Sequence, residues 1–191
     1  MPLIVLEGVD GCGKNTQIEL IKEKHPCAVF KYPTTNYQML NDYLEKKVSL
    51  DPKALFLLFL ADIAEDQKNV KKALDEGKLV ILDRYVFSTI SYEVNSIGYP
   101  DAKKIVEGVW FLKPDMVLLL DVDSKTSQER KKAQKKLDRY EENAEYLEKV
   151  RSNFLKLAEE RFLTTNWHKI DATGDINSVH QEIMKLIAAF V

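Results

Sequence analysis

The chain has 191 residues, of which 45% are hydrophobic and 30% charged, and its formal net charge is −2. This composition excludes a disordered chain and predicts a single domain over residues 1–191 with a substantial core. The nearly balanced charge gives no general attraction to nucleic acid or to an anionic membrane, so neither is an expected partner. Any phosphate-bearing ligand must be held by local groups.

Cysteine content and hydropathy indicate the cellular compartment in which the protein is expected. Cys12 and Cys27 show neither a disulfide framework nor metal-ligand spacing. The chain also shows no signal-type pattern and no apolar run long enough to cross a bilayer. A reduced, cytoplasmic setting is therefore expected.

The first predicted element is a buried strand at residues 3–6, which a glycine-rich segment follows. Four residues separate Gly8 from Gly13, and Lys14 comes next, which is the spacing of a phosphate-binding loop. In such a loop the backbone N–H groups close on phosphate oxygens, while the helix end and the lysine supply positive charge. The strand before the loop and the helix predicted at residues 14–24 favour this interpretation over a plain glycine-rich turn.

Asn15 departs from the usual form of this loop. The residue after the lysine is normally Ser or Thr, whose hydroxyl ligates Mg²⁺. Thr16 stands one place later. Because an Asn carbonyl oxygen can also ligate a hard cation, Asn15 stays a candidate magnesium ligand.

The remaining predicted elements alternate between strands and helices along the chain. Further strands are predicted at residues 27–32, 78–83, 116–121 and 168–171. Helices are predicted at residues 37–47, 52–76, between the third and fourth strands, 127–162 and 176–190. Asp51 and Pro52 suit the start of the long helix, and Gly77 suits its end. This order predicts an α/β fold with a five-stranded parallel sheet, flanked by helices and joined by right-handed crossovers.

Polar residues stand where ligands bind in such sheets, at the carboxyl ends of the strands. Asp83 ends the third strand and suits Mg²⁺ or its water shell, and Arg84 suits a second phosphate. The alternative is an ordinary Asp–Arg surface pair. A basic run at residues 129–136 is most often a solvated helix face, but beside a phosphate loop it suits a mobile charged lid. Together these are the parts of a phosphoryl-transfer enzyme, which works by positioning and charge neutralisation.

Motifs spread over nearly the whole chain resemble those of the thymidylate kinase family. They are EGVDGCGKNTQ at 7–17, KYP at 31–33, LLF at 57–59, DRYVFS at 83–88, KPD at 113–115, DRYEEN at 138–143 and IDATGDINSVHQEI at 170–183. The resemblance implies a three-layer P-loop NTPase fold with a small lid at about residues 129–141. It also implies transfer of the γ-phosphoryl group of ATP to a deoxynucleoside monophosphate, with dTMP as the expected acceptor, Mg²⁺ as cofactor and a homodimer as the assembly.

The resemblance also implies roles for individual residues, in four groups. The catalytic group is Lys14, Asp10, Arg84 and the lid residue Lys132. The ATP-binding group is Gly8, Val9, Asp10, Gly11, Cys12, Gly13, Lys14, Asn15, Thr16, Arg130 and Asp171. The acceptor-binding group is Asp10, Tyr32, Phe59, Ile63, Arg84, Ser88, Tyr92 and Tyr140. The metal group is Asn15 and Asp83. Within the acceptor group, Phe59 resembles the aromatic ring that stacks on the base, and Tyr92 the ring against the sugar.

The chain also departs from the family pattern at the acceptor site. Thr35 stands where some relatives carry an arginine on the acceptor phosphate. Ile63, on the same helical face as Phe59, stands where the family usually has an arginine that bonds the thymine carbonyl. Since an apolar contact discriminates weakly, dUMP is expected to be accepted more readily than by a typical relative. A plain core position for Ile63 is the alternative. Because Gly11 excludes an arginine in the loop, the lid is expected to supply the mobile positive charge.

Two other classes of protein compete with a kinase. A GTPase switch would need an Asn-Lys-x-Asp motif, which the chain lacks. A relative that binds nucleotides with little or no turnover stays open because of Asn15 and Thr35. Among kinases, a relative that phosphorylates another nucleoside monophosphate stays open because of Ile63 and Thr35.

Overall fold

The computed structural model describes residues 2–132 and 143–189, except for the side chains of residues 93–96, 131 and 132. Five parallel strands form one sheet in the order β2-β3-β1-β4-β5. The strands are β1 (Leu3–Glu7), β2 (Cys27–Lys31), β3 (Leu79–Asp83), β4 (Met116–Asp121) and β5 (Trp167–Asp171). The predicted five-stranded parallel sheet is therefore confirmed.

Helices flank the sheet, as the alternating pattern predicted. Within the described residues they are α1 (Lys14–Lys24), α2 (Gln38–Leu44), α3 (Pro52–Asp75), α4 (Val86–Ile97), α5 (Tyr99–Val109), α6 (Ser124–Lys132), α7 (Ala144–Glu159) and α8 (Ile176–Ala188). Helix α1 packs on α8, while α4 packs on both α3 and α7. None of these helices, over the ranges just given, combines the length and the hydrophobicity that crossing a membrane requires.

The ends of α3 follow from its sequence as predicted. The Asp51 carboxylate accepts hydrogen bonds from the backbone N–H groups of Lys53 (2.9 Å) and Ala54 (3.2 Å), so two of the unpaired donors of the first turn are satisfied. Gly77 follows the helix with a φ of 74°, a left-handed conformation that favours glycine.

One predicted helix is wrong. Residues 127–162 do not form a single helix, because Asn143 is extended and its side chain caps a new helix, accepting from the Tyr146 N–H at 3.0 Å. Helices α6 and α7 are thus separate elements. Most of the predicted lid, including Tyr140, falls in residues 133–142, outside the described residues, as does the side chain of Lys132.

The core and the sheet order determine where a site can form. Strands β1 and β3 are buried along their whole length, and their large aliphatic side chains form the main core with helices from around the sheet. The register pairs Leu6 with Asp83 and Lys31 with Asp83. The carboxyl ends of β1, β2 and β3 therefore meet at one edge of the sheet, beside the glycine-rich loop.

Candidate active site

A cavity of about 790 Å³ opens at this edge of the sheet. Its volume lies in the range of about 300–1,000 Å³ that is typical of small-molecule sites. Fifteen of the predicted site residues line it: Asp10, Gly11, Cys12, Gly13, Lys14, Asn15, Thr16, Tyr32, Phe59, Ile63, Asp83, Arg84, Ser88, Tyr92 and Arg130. The predicted ATP, acceptor and metal groups are thus brought to one place.

The glycine-rich loop encloses the Lys14 ammonium. Lys14 Nζ donates to the carbonyl oxygens of Gly8 (2.7 Å) and Val9 (3.3 Å). Gly8 and Val9, at the start of the loop, do not line the cavity. A Cβ at position 8 would lie 2.5 Å from the Leu120 carbonyl oxygen, and the φ of Gly8 is 139°. The close approach of β1 to β4 therefore requires a glycine at position 8. This structural role differs from the direct contact with ATP that was predicted for Gly8.

The first turn of α1 faces this cavity with unsatisfied donors. Helix α1 begins after Gly13, whose φ is 104°, and no side chain that the structure describes caps it or places an acidic group in its first turn. The N–H groups and the positive end of the helix dipole are then available to an anion. Because the Lys14 ammonium lies at the same point, the loop provides a site for phosphate oxygens.

Arg84 also lines the cavity and is held there by several partners. It follows β3 in a left-handed conformation (φ 71°), and its guanidinium donates to Asp10 Oδ1 at 2.7 Å. Tyr92 donates its hydroxyl to Asp10 Oδ2 at 3.1 Å, and its ring lies 5.1 Å from the guanidinium carbon. Burial opposes the charge of Arg84, but Asp10 and other neighbouring groups raise its pKa well above the usual value. The side chain is therefore a permanent cation held in a fixed place.

Glu7, which the sequence analysis assigned no role, holds Arg84 from behind. Glu7 is fully buried at the end of β1, and it accepts hydrogen bonds from the backbone N–H groups of Tyr85 (2.8 Å) and Ser88 (3.2 Å). It also accepts from Ser88 Oγ at 2.6 Å, and that oxygen accepts from Arg84 at 3.0 Å. Glu7 thus fixes both the start of α4 and, through Ser88, the guanidinium.

The predicted metal ligands lie on either side of a lysine. Lys31 Nζ is 3.1 Å from Asn15 Oδ1 and 3.0 Å from Asp83 Oδ2. The other carboxylate oxygen of Asp83 is buried and has no hydrogen-bond partner among the described residues. Within those residues, no three His, Cys, Asp or Glu side chains gather as a metal site. Since Mg²⁺ keeps several waters and nucleotide oxygens as ligands, two protein oxygens fit it.

Aromatic and aliphatic side chains also line the cavity. Phe59 is partly buried and lines the cavity. Ile63 is buried in the main core and also lines the cavity, so its role at the base stays a prediction. The loop after β2 is fixed by Asp62, which accepts from the Thr34 N–H at 2.7 Å. The carbonyl oxygen of Thr35 in that loop accepts a hydrogen bond from Asn41 at 3.1 Å. A neutral side chain thus stands at position 35, where some relatives are expected to carry an arginine.

Arg130 joins α6 to the turn after β5. Its guanidinium donates to the carbonyl oxygens of Ala172 (2.9 Å) and Thr173 (3.2 Å). Asp171 does not line the cavity. Its carboxylate accepts from Thr173 within the turn, which lowers the pKa of Asp171. Asp171 therefore shapes this wall of the cavity from outside.

Comparison with known proteins identifies the family. The sequence profile named Thymidylate kinase matches residues 6–183. The chain belongs to the thymidylate kinase family. It is 36% identical to a probable thymidylate kinase 1 of Saccharolobus solfataricus over 97% of this chain and 96% of that protein. It is 32% identical to a thymidylate kinase of Schizosaccharomyces pombe, over 97% of this chain and 91% of that protein.

A solved thymidylate kinase structure shares the fold. The Candida albicans enzyme, described as having broad substrate specificity, matches with a TM-score of 0.81 and 25% identity over 98% of this chain and 91% of that one. The P-loop NTPase fold expected from the sequence is therefore confirmed. As a member of the thymidylate kinase family, the protein is an ATP-dependent nucleoside monophosphate kinase.

Two residues of this thymidylate kinase site were missed by sequence reasoning. Glu7 and Lys31 lie inside the motifs EGVDGCGKNTQ and KYP, but these motifs predicted no role for either residue. An available signal for Glu7 was its place directly after a run of four apolar residues, where an acid is either the end of a strand or a buried charge. Lys31 gave no comparable signal, because its contacts depend on the pairing of β2 with β3.

Proposed function

We propose that the protein transfers the γ-phosphoryl group of ATP to dTMP and so produces ADP and dTDP. The observation that carries this proposal is one cavity that holds both a phosphate-binding loop and a second, separate cation. Lys14 and the loop amides line this cavity, and so do Arg84 and Tyr92, whose side chains are joined to the loop through Asp10. Such a pair of phosphate sites is what in-line transfer between two nucleotides requires.

On the donor side, the loop amides and the Lys14 ammonium bind the β- and γ-phosphates of ATP and stabilise the charge that develops during transfer. Arg130 and the turn after β5 border the adenine end. Asn15 and Asp83 would hold Mg²⁺. When bound, Mg²⁺ neutralises charge on the transferring phosphoryl group.

On the acceptor side, Arg84 binds the phosphate of dTMP, and Asp10 with Tyr92 keeps the guanidinium in place. The Tyr92 ring lies against the deoxyribose, while Phe59 stacks on the base. Lys132 and Tyr140 complete the site from the lid at about residues 129–141, which closes over the phosphates. We also propose that residues 1–191 act as one domain, that the protein is a cytoplasmic homodimer and that it binds neither nucleic acid nor membranes.

A second candidate activity is phosphorylation of dUMP. Ile63 offers the base an apolar surface where a hydrogen-bonding arginine would discriminate. An extra methyl group in an apolar pocket is worth only about 1–3 kcal/mol, so dTMP is preferred but dUMP is turned over.

The test is steady-state kinetics with ATP and each of dTMP, dUMP, dCMP and dGMP, with ADP release coupled to NADH oxidation. The kcat/KM with dTMP should be the highest and that with dUMP the next. Reactions without acceptor give the background of ATP hydrolysis. A higher kcat/KM with dGMP than with dTMP would refute the thymidylate assignment.

A further inference from the structure

Lys31 occupies an unusual place for a lysine, between the two oxygens that suit a divalent cation. It ends β2, and its register partner on β3 is Asp83. Its ammonium lies 3.0 Å from Asp83 Oδ2 and 3.1 Å from Asn15 Oδ1, so one cation joins the strand end to the first turn of α1. The side chains of Lys31, Asn15 and Asp83 all line the same cavity.

An ordinary surface ion pair does not account for this arrangement. The Lys31 side chain is 58% exposed, whereas that of Asp83 is only 4% exposed. The Lys31 ammonium pairs with Oδ2 of Asp83, while the buried Oδ1 of Asp83 has no hydrogen-bond partner within the described part of the chain. Leaving a buried acceptor unsatisfied is costly, and a site that retains such an acceptor commonly serves a ligand.

We propose that Lys31 competes with the divalent cation for Asn15 and Asp83 and thereby sets the metal affinity of the site. This rests on the proposed function, in which those two residues hold Mg²⁺. Mg²⁺ binds oxygen at about 2.0–2.1 Å and requires a near-octahedral set of ligands. An ammonium held between the same two side chains opposes the ion through both occupied space and like charge, so the two cations compete even though Asp83 Oδ1 has no partner among the described residues.

Two features make the exchange feasible. Lysine has a flexible four-carbon stem, and the exposed Lys31 side chain has room to move away. Nucleotide oxygens add further ligands to a divalent ion that Asn15 and Asp83 hold, so ATP shifts the competition towards the metal. The site therefore binds metal weakly alone and more tightly together with ATP.

Asn15 also takes part in the competition between Lys31 and the divalent cation. Its amide oxygen is the second acceptor of the Lys31 ammonium, and a shorter Ser side chain in its place would not reach that nitrogen. Asn15→Ser thus removes one competing contact and restores the hydroxyl that this loop normally offers a metal. The variant should bind Mg²⁺ more tightly than the parent.

The experiment measures Mn²⁺ binding, which electron paramagnetic resonance detects from the loss of the free-ion signal. Parent, Lys31→Met and Lys22→Met are titrated with Mn²⁺ alone and again with saturating ATP, without acceptor. Lys22 is a matched control because it is an exposed lysine paired with Glu19 on α1. Lys31→Met should tighten Mn²⁺ binding at least about fivefold, because an exposed ion pair alone would account for that factor and Asp83 is buried, while Lys22→Met should leave it unchanged.

Calorimetric titration of ATP in EDTA separates the alternatives. If Lys31→Met leaves this metal-free affinity unchanged and tightens Mn²⁺ binding, the competition is established. Unchanged or weaker Mn²⁺ binding by Lys31→Met would overturn the proposal, as would a large loss of metal-free ATP affinity, which would make Lys31 a phosphate ligand. A parent that fails to bind ATP at all would instead refute the proposed function, and the titration with Mn²⁺ alone would still decide the role of Lys31.

Discussion

Replacing Glu7 by Gln isolates the charge of a buried carboxylate while keeping its size. Glu7 accepts three hydrogen bonds, two from backbone N–H groups and one from Ser88 Oγ. A Gln carbonyl oxygen can still accept from the N–H groups of Tyr85 and Ser88. Its amide nitrogen, however, cannot accept from Ser88, so the link to Arg84 changes while the start of α4 is kept.

The structure gives the size and the sign of the effect on stability. Burial raises the pKa of Glu7 from 4.5 to about 7, although hydrogen bonds and the charges of Arg84 and Lys14 lower it. Between these values the folded protein holds the proton more tightly than the unfolded chain, so the contribution of Glu7 to stability is lost as the pH rises. At 1.36 kcal/mol for each pH unit, the loss between pH 5 and pH 8 is about 2.5 kcal/mol.

Urea unfolding of the parent and of Glu7→Gln at pH 5 and pH 8 measures this loss. The free energy of unfolding of the variant should rise by about 2.5 kcal/mol relative to that of the parent between the two pH values. Glu107→Gln, at an exposed position on α5, should show no such change. In the kinase assay at pH 8, Glu7→Gln should raise the KM for dTMP more than it lowers kcat, because Arg84 loses its fixed place. A stability difference that is independent of pH would refute the reasoning.

Three further substitutions test the donor site, the base and the lid. Lys14→Ala should lower kcat/KM at least about 100-fold, since removing a preorganised cation costs at least ~3 kcal/mol of barrier, and activity within about tenfold of the parent at an unchanged circular dichroism spectrum would contradict it. Ile63→Arg should raise the ratio of kcat/KM for dTMP to that for dUMP; an unchanged ratio in a variant with normal thermal unfolding would place Ile63 away from the base. Changing Lys131, Lys132 and Lys135 together to Ala should lower kcat more than it raises the KM for dTMP, whereas an effect on KM alone would count against a catalytic lid.

The sheet could be predicted because each strand is a short apolar run between breaks. Residues 79–83 and 116–121 are almost entirely aliphatic, and the structure places both as buried strands at nearly the predicted bounds. The phosphate loop could be predicted because its glycines and lysine lie close together in the sequence, at a fixed spacing. Both features are local, and local patterns are what a sequence displays.

The failed prediction has an equally local cause. Residues 124–162 contain no glycine or proline and are rich in charged helix formers, so nothing in the pattern marks an end to a helix at 127–162. The start of α7 depends on one Asn143 side chain that caps it. Asn is a favoured N-cap, but Ser and Asp residues in the same stretch are favoured caps too, so Asn143 does not mark the boundary by itself.

The missed residues depend on long-range pairing instead. Glu7 is buried because α4 begins directly over it, and Lys31 reaches Asp83 because β2 lies beside β3. Neither contact follows from spacing along the chain. Likewise, the place of Asp171 outside the cavity is set by its turn with Thr173, which a motif match does not reveal.

The most direct test of the account follows the phosphoryl group itself. Enzyme, ATP labelled with ³²P at the γ-position and excess dTMP are mixed, and the products are separated by thin-layer chromatography after increasing times. The label should move to dTDP in proportion to the ADP formed, and Lys14→Ala should show no comparable transfer. Label released as inorganic phosphate, with none on dTDP, would contradict the assignment of this cavity to phosphoryl transfer between nucleotides.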